Sequence, residues 1–465
     1  MSAISKTSIP VQPPGPNSKR ILTNFNEYLS TPRRTKALAV IVLLLSFVTE
    51  LMPPILHGRL SAPPEIGDPF DYDAIAFSLW NGNGFSIDWD NPKVKTPYRE
   101  NNASGEYDGV LGATGAAITS FRPPLFPIIL AGTYKIFGRQ FWPIRVINCT
   151  CIALSVVLGF LLVARYFGSI PALGCAALLL TSPEFRLYGR QMLTESSACF
   201  LIMLFAWSLI LATDDRDPLW FLAAGGFFAL AILDRTMFAL WTPVLLVFLF
   251  VLLRITLGAW FSRENLKAIL LIFLPVACLA GPWMIRNCLL FKKFQPLGTQ
   301  GAIELPSGYS DKAYQDQGRW YECAPGGWYG EGNEQKWAAL GSAAGLKWIK
   351  SNLSKLPILA FFKVRSEFWN WDIIDQMIRA FGLLGLMIWL NSNSKCALVI
   401  IGMVIASVMA VALTWSIGGR FLIPIYPLLM ASSAVGLWTF LVVYIEVGTE
   451  RVALLRQFQR YTSDK

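Results

Sequence analysis

The sequence predicts an all-α polytopic membrane protein, and three observations carry that prediction. Of its 465 residues, 54% are hydrophobic and only 15% are charged, whereas a soluble domain carries roughly 25% charged residues. Long apolar runs recur from about residue 37 to about residue 445. A helix that crosses a bilayer needs about 20 apolar residues, because lipid offers no partner to an open backbone group. The 17 Trp and 31 Phe residues suit interfacial belts and close helix packing.

Charge placement sets the topology. The formal charge is +10, but it is not arranged for nucleic acid, since no basic face interleaved with aromatics occurs. Lys19, Arg20, Arg33, Arg34 and Lys36 precede the first span, and Arg451, Arg456 and Arg460 follow the last. That is the positive-inside pattern and predicts that both tails are cytoplasmic. Residues 1–36 and 446–465 are the tails, and residues 37–445 the membrane domain. The Pro- and Ser-rich start, SIPVQPPGPNS, reads as disordered, and the apolar stretch after it reads as a retained anchor rather than a cleaved leader.

Ten spans are expected: 37–56, 143–164, 169–185, 194–212, 218–234, 236–256, 267–285, 376–391, 396–414 and 422–445. RPPLFPIILAGTYKIFG has three prolines and too short an apolar run to cross, so 125–137 is expected to lie along the outer interface. This parity places Arg165, Arg254, Arg263 and Lys267 inside. The first outer loop, 58–142, is acidic, with Glu65, Asp68, Asp71, Asp73, Asp88, Asp90, Glu100, Glu106 and Asp108. The large outer loop, 286–357, carries CAPGGWYGEG and is expected to form a small ordered cap. LPILAFFKVRSEFWNWD, just after it, reads as amphipathic and interfacial.

Composition also removes chemistries. His57 is the only histidine, so no His-based triad or HExxH zinc site can be built. A general base must then be a carboxylate, a lysine or a tyrosine. The eight cysteines contain no CxxC pair and read as free buried thiols.

The remaining charges collect at the outer face: Asp68, Asp71, Arg122, Glu195, Arg235, Arg286 and Arg420. A transporter would keep acids or bases near mid-span, which makes transport the weaker reading. Arginines at an apolar–aqueous boundary bind phosphate through charge-assisted, bidentate hydrogen bonds. A phosphate carrying a lipid tail would sit there, with its tail in the bilayer. If that phosphate carries a sugar, one base and one cationic clamp suffice for transfer, because lipid phosphate leaves without a general acid.

In GDPFDYD, Asp68 is a good N-cap, Pro69 suits the first helical position, and Asp71 is well placed for the helix dipole. Asp68, Asp71 and Tyr72 share a face, while Asp73 turns away. Capping would weaken Asp68 as a base. Either Asp68 points into the site and leaves its cap to another group, or Asp71 carries more of the chemistry. Asp73, Asp88 and Asp90 read as solvated loop acids.

Taken in order, these segments resemble the GT-C superfamily of membrane glycosyltransferases that use polyprenyl-phosphate sugars, relatives of the protein O-mannosyltransferases and lipid A aminoarabinose transferases. GDPFDYDAIAFSLWNGNGFS resembles the acidic motif, in Asp68, Tyr72 and Ala76. FRPPLFPIILAGTYKIFG resembles the basic-Pro-Pro segment, with Arg122 at its basic position. SPEFRLYGRQMLTES places Glu195, GPWMIRN and GTQGAIEL resemble the start of the large outer loop, and GRFLIPIYPLL resembles the Arg-aromatic-Pro start of a late span. Gln300 and Glu304 stand where Asn is common.

The resemblance implies a GT-C fold with Asp68 as catalytic base and Arg122 and Arg420 at the lipid phosphate. Asp71, Tyr72, Glu195, Arg235, Arg286 and Asn287 would shape the substrate site. Read without it, Arg286 is an interfacial anchor, Glu195 a helix N-terminal charge and Arg420 a snorkelling residue. The implied partners are a polyprenyl-phosphate sugar donor, a lipid, glycan or protein acceptor, and the bilayer. No cofactor is required, although Asp68, Asp71 and Glu195 could assemble an oxygen-rich site for magnesium or manganese. A polymerase or ligase using a lipid diphosphate donor is the related alternative.

Overall fold

The computed structural model describes residues 18–64, 67–88, 91–101, 117–258, 262–323, 334–369 and 372–463. The SIPVQPPGPNS start, the loop acids Glu65, Asp90, Glu106 and Asp108, and nearly all of CAPGGWYGEG lie outside the described residues, as do the side chains of residues 18–22 and 446–463.

Among the described residues, eight helices are long and apolar enough to cross a membrane: Pro32–Leu56, Trp142–Phe167, Glu195–Asp215, Thr236–Leu257, Arg263–Phe291, Ile373–Ser392, Ser394–Leu413 and Arg420–Ile445. Each coincides with an expected span. The other two expected spans are shorter helices, Ser169–Thr181 and Pro218–Asp234. The expected 169–185 stops early because Ser182 begins a new helix, its hydroxyl accepting from the Phe185 N–H with Pro183 at the first position. Leu125–Phe137 is a separate helix of 13 residues. At 1.5 Å per residue it reaches about 20 Å, short of the roughly 30 Å hydrocarbon layer.

Side-chain caps and prolines set the helix starts. Asp217 accepts from Leu219 N–H, Ser262 from Asn265, Asp372 from Asp375 and Asn393 from Cys396. Packing is closest where the helices lack side chains. A Cβ added at Gly385 would strike the Ser432 carbonyl, and one at Gly436 the Phe381 carbonyl. Glycine there lets Ile373–Ser392 and the last helix touch backbone to backbone. Leu266, Leu270 and Leu274 are exposed along one stripe of Arg263–Phe291, the pattern of a lipid-facing surface.

The bundle has two distinct ends. One gathers Asn26 on the Phe167 carbonyl, Arg165 on Asp214, and Lys395 on the Thr213 carbonyl. The other is covered by the 58–141 and 292–372 segments. These contribute Asp68–Trp80, Pro92–Asn101, Glu334–Ser351, Leu356–Phe368 and a two-stranded antiparallel sheet pairing Ser86 with Ile118 and Ile87 with Ala117.

One sequence expectation takes a definite form here, and another is corrected. LPILAFFKVRSEF is a helix that buries its polar stripe, Lys363 and Glu367 with Leu359, and exposes Ile358 and Phe361. Polar groups turn inward because their partners are inside. Asp73 is not solvated but fully buried, held by Arg139 and by the hydroxyls of Tyr98 and Tyr134. These three partners make its burial tolerable. Asp88 is half-buried.

Candidate active site

The site is built from five stretches of chain that meet at the covered end. Gly67 takes a φ of 116°, a conformation that glycine adopts readily and other residues rarely do. This turn starts the Asp68–Trp80 helix, and the first helical bonds fall on the Gly67 carbonyl, with Phe70 N–H at 3.0 Å. No side chain caps this helix. Asp68 therefore points away from its own backbone into the site, as one of the two readings of GDPFDYD requires.

Six charged side chains then alternate in sign. Arg122 donates Nε and Nη2 to Asp71 Oδ2, at 2.9 and 2.6 Å, and Nη2 also reaches Asp68 Oδ1 at 2.5 Å. The other oxygen of Asp68 meets Arg420 Nη2 at 2.8 Å. Arg420 Nε donates to Glu195 Oε1, and Arg235 Nη1 donates to the same oxygen at 2.5 Å. The order is Asp71, Arg122, Asp68, Arg420, Glu195, Arg235. Three cations face three anions, so the group is neutral although most of it is buried. Asp68 is its most open member, with 26% of its side chain exposed. Tyr72 supports the row from below, its ring centroid 5.5 Å from the Arg122 guanidinium. Beside Arg235, Asp234 accepts from the Ser197 hydroxyl at 2.8 Å.

The surroundings fix the proton states. Burial pushes the Asp68 carboxyl up, but the Arg122 and Arg420 guanidiniums outweigh it and hold the group well below the usual carboxylate range. Burial would lower Arg122, yet Asp68 and Asp71 raise it further, so it stays a cation. Glu304 is the opposite case. Burial pushes it up to about 7, only partly offset by Arg122.

Further out, three acids that the sequence reading did not single out for the site serve it. Glu334 accepts from Thr119 Oγ1, from the N–H and hydroxyl of Ser120, and from Thr299 Oγ1, which ties down the segment presenting Arg122. Glu367 accepts from Ser416 Oγ at 2.8 Å, Ile417 N–H at 2.9 Å and Phe421 N–H at 2.5 Å. It thus grips the turn through Gly418 and Gly419 that aims Arg420. Glu304 lines the cavity itself. Its signal was present in the sequence, as an acid in place of a common Asn. Glu334 and Glu367 had no such signal, because their partners are backbone groups and hydroxyls far away in sequence.

The row opens on a cavity of about 1060 Å³. Asp68, Tyr72, Arg122, Arg235 and Arg420 line it, beside apolar walls from Pro53, Pro54, Leu187, Met237 and Leu240. Asp71 and Glu195 are buried behind that lining, and two further candidates stand apart from it. Arg286 donates to the Thr119 carbonyl and to Asn287 Oδ1 and lies against the Trp283 ring, while Asn287 donates to the Pro296 carbonyl. Among the described residues, no three His, Cys, Asp or Glu side chains gather closely enough to hold a metal ion. Asp68, Asp71 and Glu195 each face an arginine instead, an arrangement that does not fit a cation.

Comparison with known proteins agrees with this architecture. Residues 121–283 match the family described as dolichyl-phosphate-mannose-protein mannosyltransferase. The fold is similar to that of ArnT from Cupriavidus metallidurans bound to undecaprenyl phosphate, with a TM-score of 0.51 at 14% identity over 91% of this chain and 64% of that one. It is similar to the oligosaccharyltransferase AglB from Archaeoglobus fulgidus in complex with an inhibitory peptide and a dolichol-phosphate, at 0.50 and 16% over 92% and 52% of the two chains. The apo form of the Archaeoglobus fulgidus oligosaccharyltransferase gives 0.53 and 13% over 93% and 52%. No curated protein matches the chain in sequence. The chain spans between half and two thirds of the length of these solved proteins. The protein is an integral membrane protein with the GT-C fold.

Proposed function

We propose that the protein transfers a sugar from a polyprenyl-phosphate-linked donor to an acceptor hydroxyl, with inversion, at the outer membrane face, both tails being cytoplasmic. The carrying observation is the row of arginines around Asp68, opening on a cavity with apolar walls. Those walls suit a lipid tail and those guanidiniums suit its phosphate. The family match at residues 121–283 and the GT-C fold support the reading.

In this reaction the acceptor oxygen attacks the anomeric carbon, the bond from that carbon to the phosphate oxygen breaks, and the acceptor proton passes to Asp68. Polyprenyl phosphate leaves onto Arg122 and Arg420. While both arginines hold Asp68, it is a weak base. An arriving donor phosphate competes for the same guanidiniums, and each contact that Asp68 gives up raises its proton affinity. Donor binding thus switches the base on. Arg235 and Glu195 fix the far side of Arg420, Asp71 and Tyr72 fix Arg122, and Arg286 with Asn287 shapes the loop above.

The test is transfer from radiolabelled polyprenyl-phosphate sugar by the purified protein, compared with Asp68→Asn. Transfer by the variant at the normal rate would sink the base assignment. No turnover by the wild type with any such donor would sink the reaction.

A further inference from the structure

The same cavity carries a second group of arginines, built differently from the first. Arg145 lies near the start of Trp142–Phe167 and is 8% exposed. Its Nη1 donates to the Leu60 and Ala62 carbonyls, both at 2.6 Å, and among the described residues no carboxylate pairs with it. Arg59 stands exposed at the cavity wall. Arg190 lines the cavity too, but shares its one carboxylate, Glu50, with Arg186. Among the described residues, these four arginines have one ion-paired acid between them, against three for three around Asp68.

A guanidinium removed from water without a counter-charge is costly. Two backbone carbonyls satisfy some of its hydrogen bonds but cancel none of its charge. None of the described residues supplies the missing anion, and a ligand that enters the cavity can. The nearby cavity wall shows which kind of molecule brings it. Leu187 lies one helical turn from Arg190 and Pro53 one turn from Glu50, both in the cavity lining, and Met52, Ile55 and Leu56 at the end of the first span are exposed. An anion seated there has an apolar body beside it.

We propose that Arg59, Arg145 and Arg190 form a second phosphate subsite, which takes the phosphate-bearing headgroup of a lipid acceptor while the donor phosphate occupies Arg122 and Arg420. The assignment to the acceptor rests on the sugar-transfer reading, whereas the existence of the subsite does not. It selects an anionic lipid over a neutral glycan or a peptide.

The experiment counts bound farnesyl phosphate by native mass spectrometry on the full chain in detergent, with no turnover needed. The wild type is expected to bind two equivalents, Arg420→Ala one, Arg145→Ala one, and the double variant none. Arg145→Lys keeps the charge and is expected to retain two. Arg59→Gln alters only an exposed residue, so folding is not at stake, and it is expected to weaken one equivalent about tenfold, the effect of roughly 1.4 kcal/mol. One equivalent in the wild type, lost in Arg420→Ala and unchanged in Arg145→Ala and Arg59→Gln, would overturn the subsite and leave Arg145 as a loop anchor only. Inorganic phosphate binding at Arg145 with farnesyl phosphate excluded would overturn the lipid assignment. Two equivalents bound by a protein that transfers no sugar would uphold the subsite and refute the reaction.

Discussion

The two arginine groups on one cavity solve the problem of buried charge in opposite ways. Around Asp68, each guanidinium already has a carboxylate, and each is held by hydrogen bonds to a set geometry. Around Arg145, cations outnumber acids among the described residues, and backbone carbonyls take the place of carboxylates. A balanced group is pre-formed and chemically restrained, and a ligand must displace something to enter it. An unbalanced group is completed by its ligand. On the proposed function, the difference separates positioning for reaction from simple capture of an anion.

The largest test of this contrast is Asp68→Asn, expected to lower transfer about 10²–10⁴-fold, the usual scale for a general base, with donor binding kept. Loss of donor binding along with turnover would instead make Asp68 a scaffold for the arginines. Next, Arg420→Ala is expected to cost about 10²–10³ in kcat, as for loss of one donor to developing negative charge, and Arg420→Lys to recover only part of it, because a point charge cannot fork between Asp68 and Glu195. Full recovery by Arg420→Lys would reduce the row to a plain positive patch.

Asp73→Asn serves as the control within the same helix. It leaves the half-buried Arg139 against a neutral amide, so a stability loss of about 3 kcal/mol is expected in a denaturation series, with the turnover of the folded fraction unchanged. A smaller effect, and one of pH, falls on Glu304. Its folded pKa is raised to about 7 from an ordinary 4.5, so between those values the folded state holds more protons than the unfolded one. Stability should therefore fall as pH rises from 4.5 to 7. Thermal melts of Glu304→Gln at both ends of that window should show the slope flattened, and an unchanged slope would place the titration elsewhere. The smallest effect is expected at the opposite end of the bundle. The Arg165–Asp214 pair, with 37% and 20% of the two side chains exposed, should yield less than about 1 kcal/mol on Arg165→Ala.

Much of this was legible in the chain before folding. The spans follow from apolar runs, and eight of the ten expected are matched by long helices. The ordered motifs pointed to Asp68, Arg122, Glu195 and Arg420, and all four meet in the row. GDPFDYD also ranked its own acids partly: Asp68 and Asp71 share one face, and Asp73 faces away from it. What Asp73 meets there could not be read locally. Tyr98, Tyr134 and Arg139 lie 25, 61 and 66 positions along the chain, and only packing brings them around one carboxylate. Glu367 was hidden for the same reason, inside a stretch whose apolar residues suggested an interfacial face.

The sequence by itself determined the solvent of each segment, because apolar runs of sufficient length can satisfy their backbones in lipid only as helices. It also determined which residue types were available for chemistry, since a chain with one histidine must work with carboxylates and arginines. Only the tertiary structure decided which arginine answers which acid. Ion pairs form between groups that are adjacent in space, and adjacency here is set by the meeting of helix ends far apart in sequence. That pairing sets a neutral, pre-arranged row around Asp68 apart from Arg145, which backbone carbonyls hold.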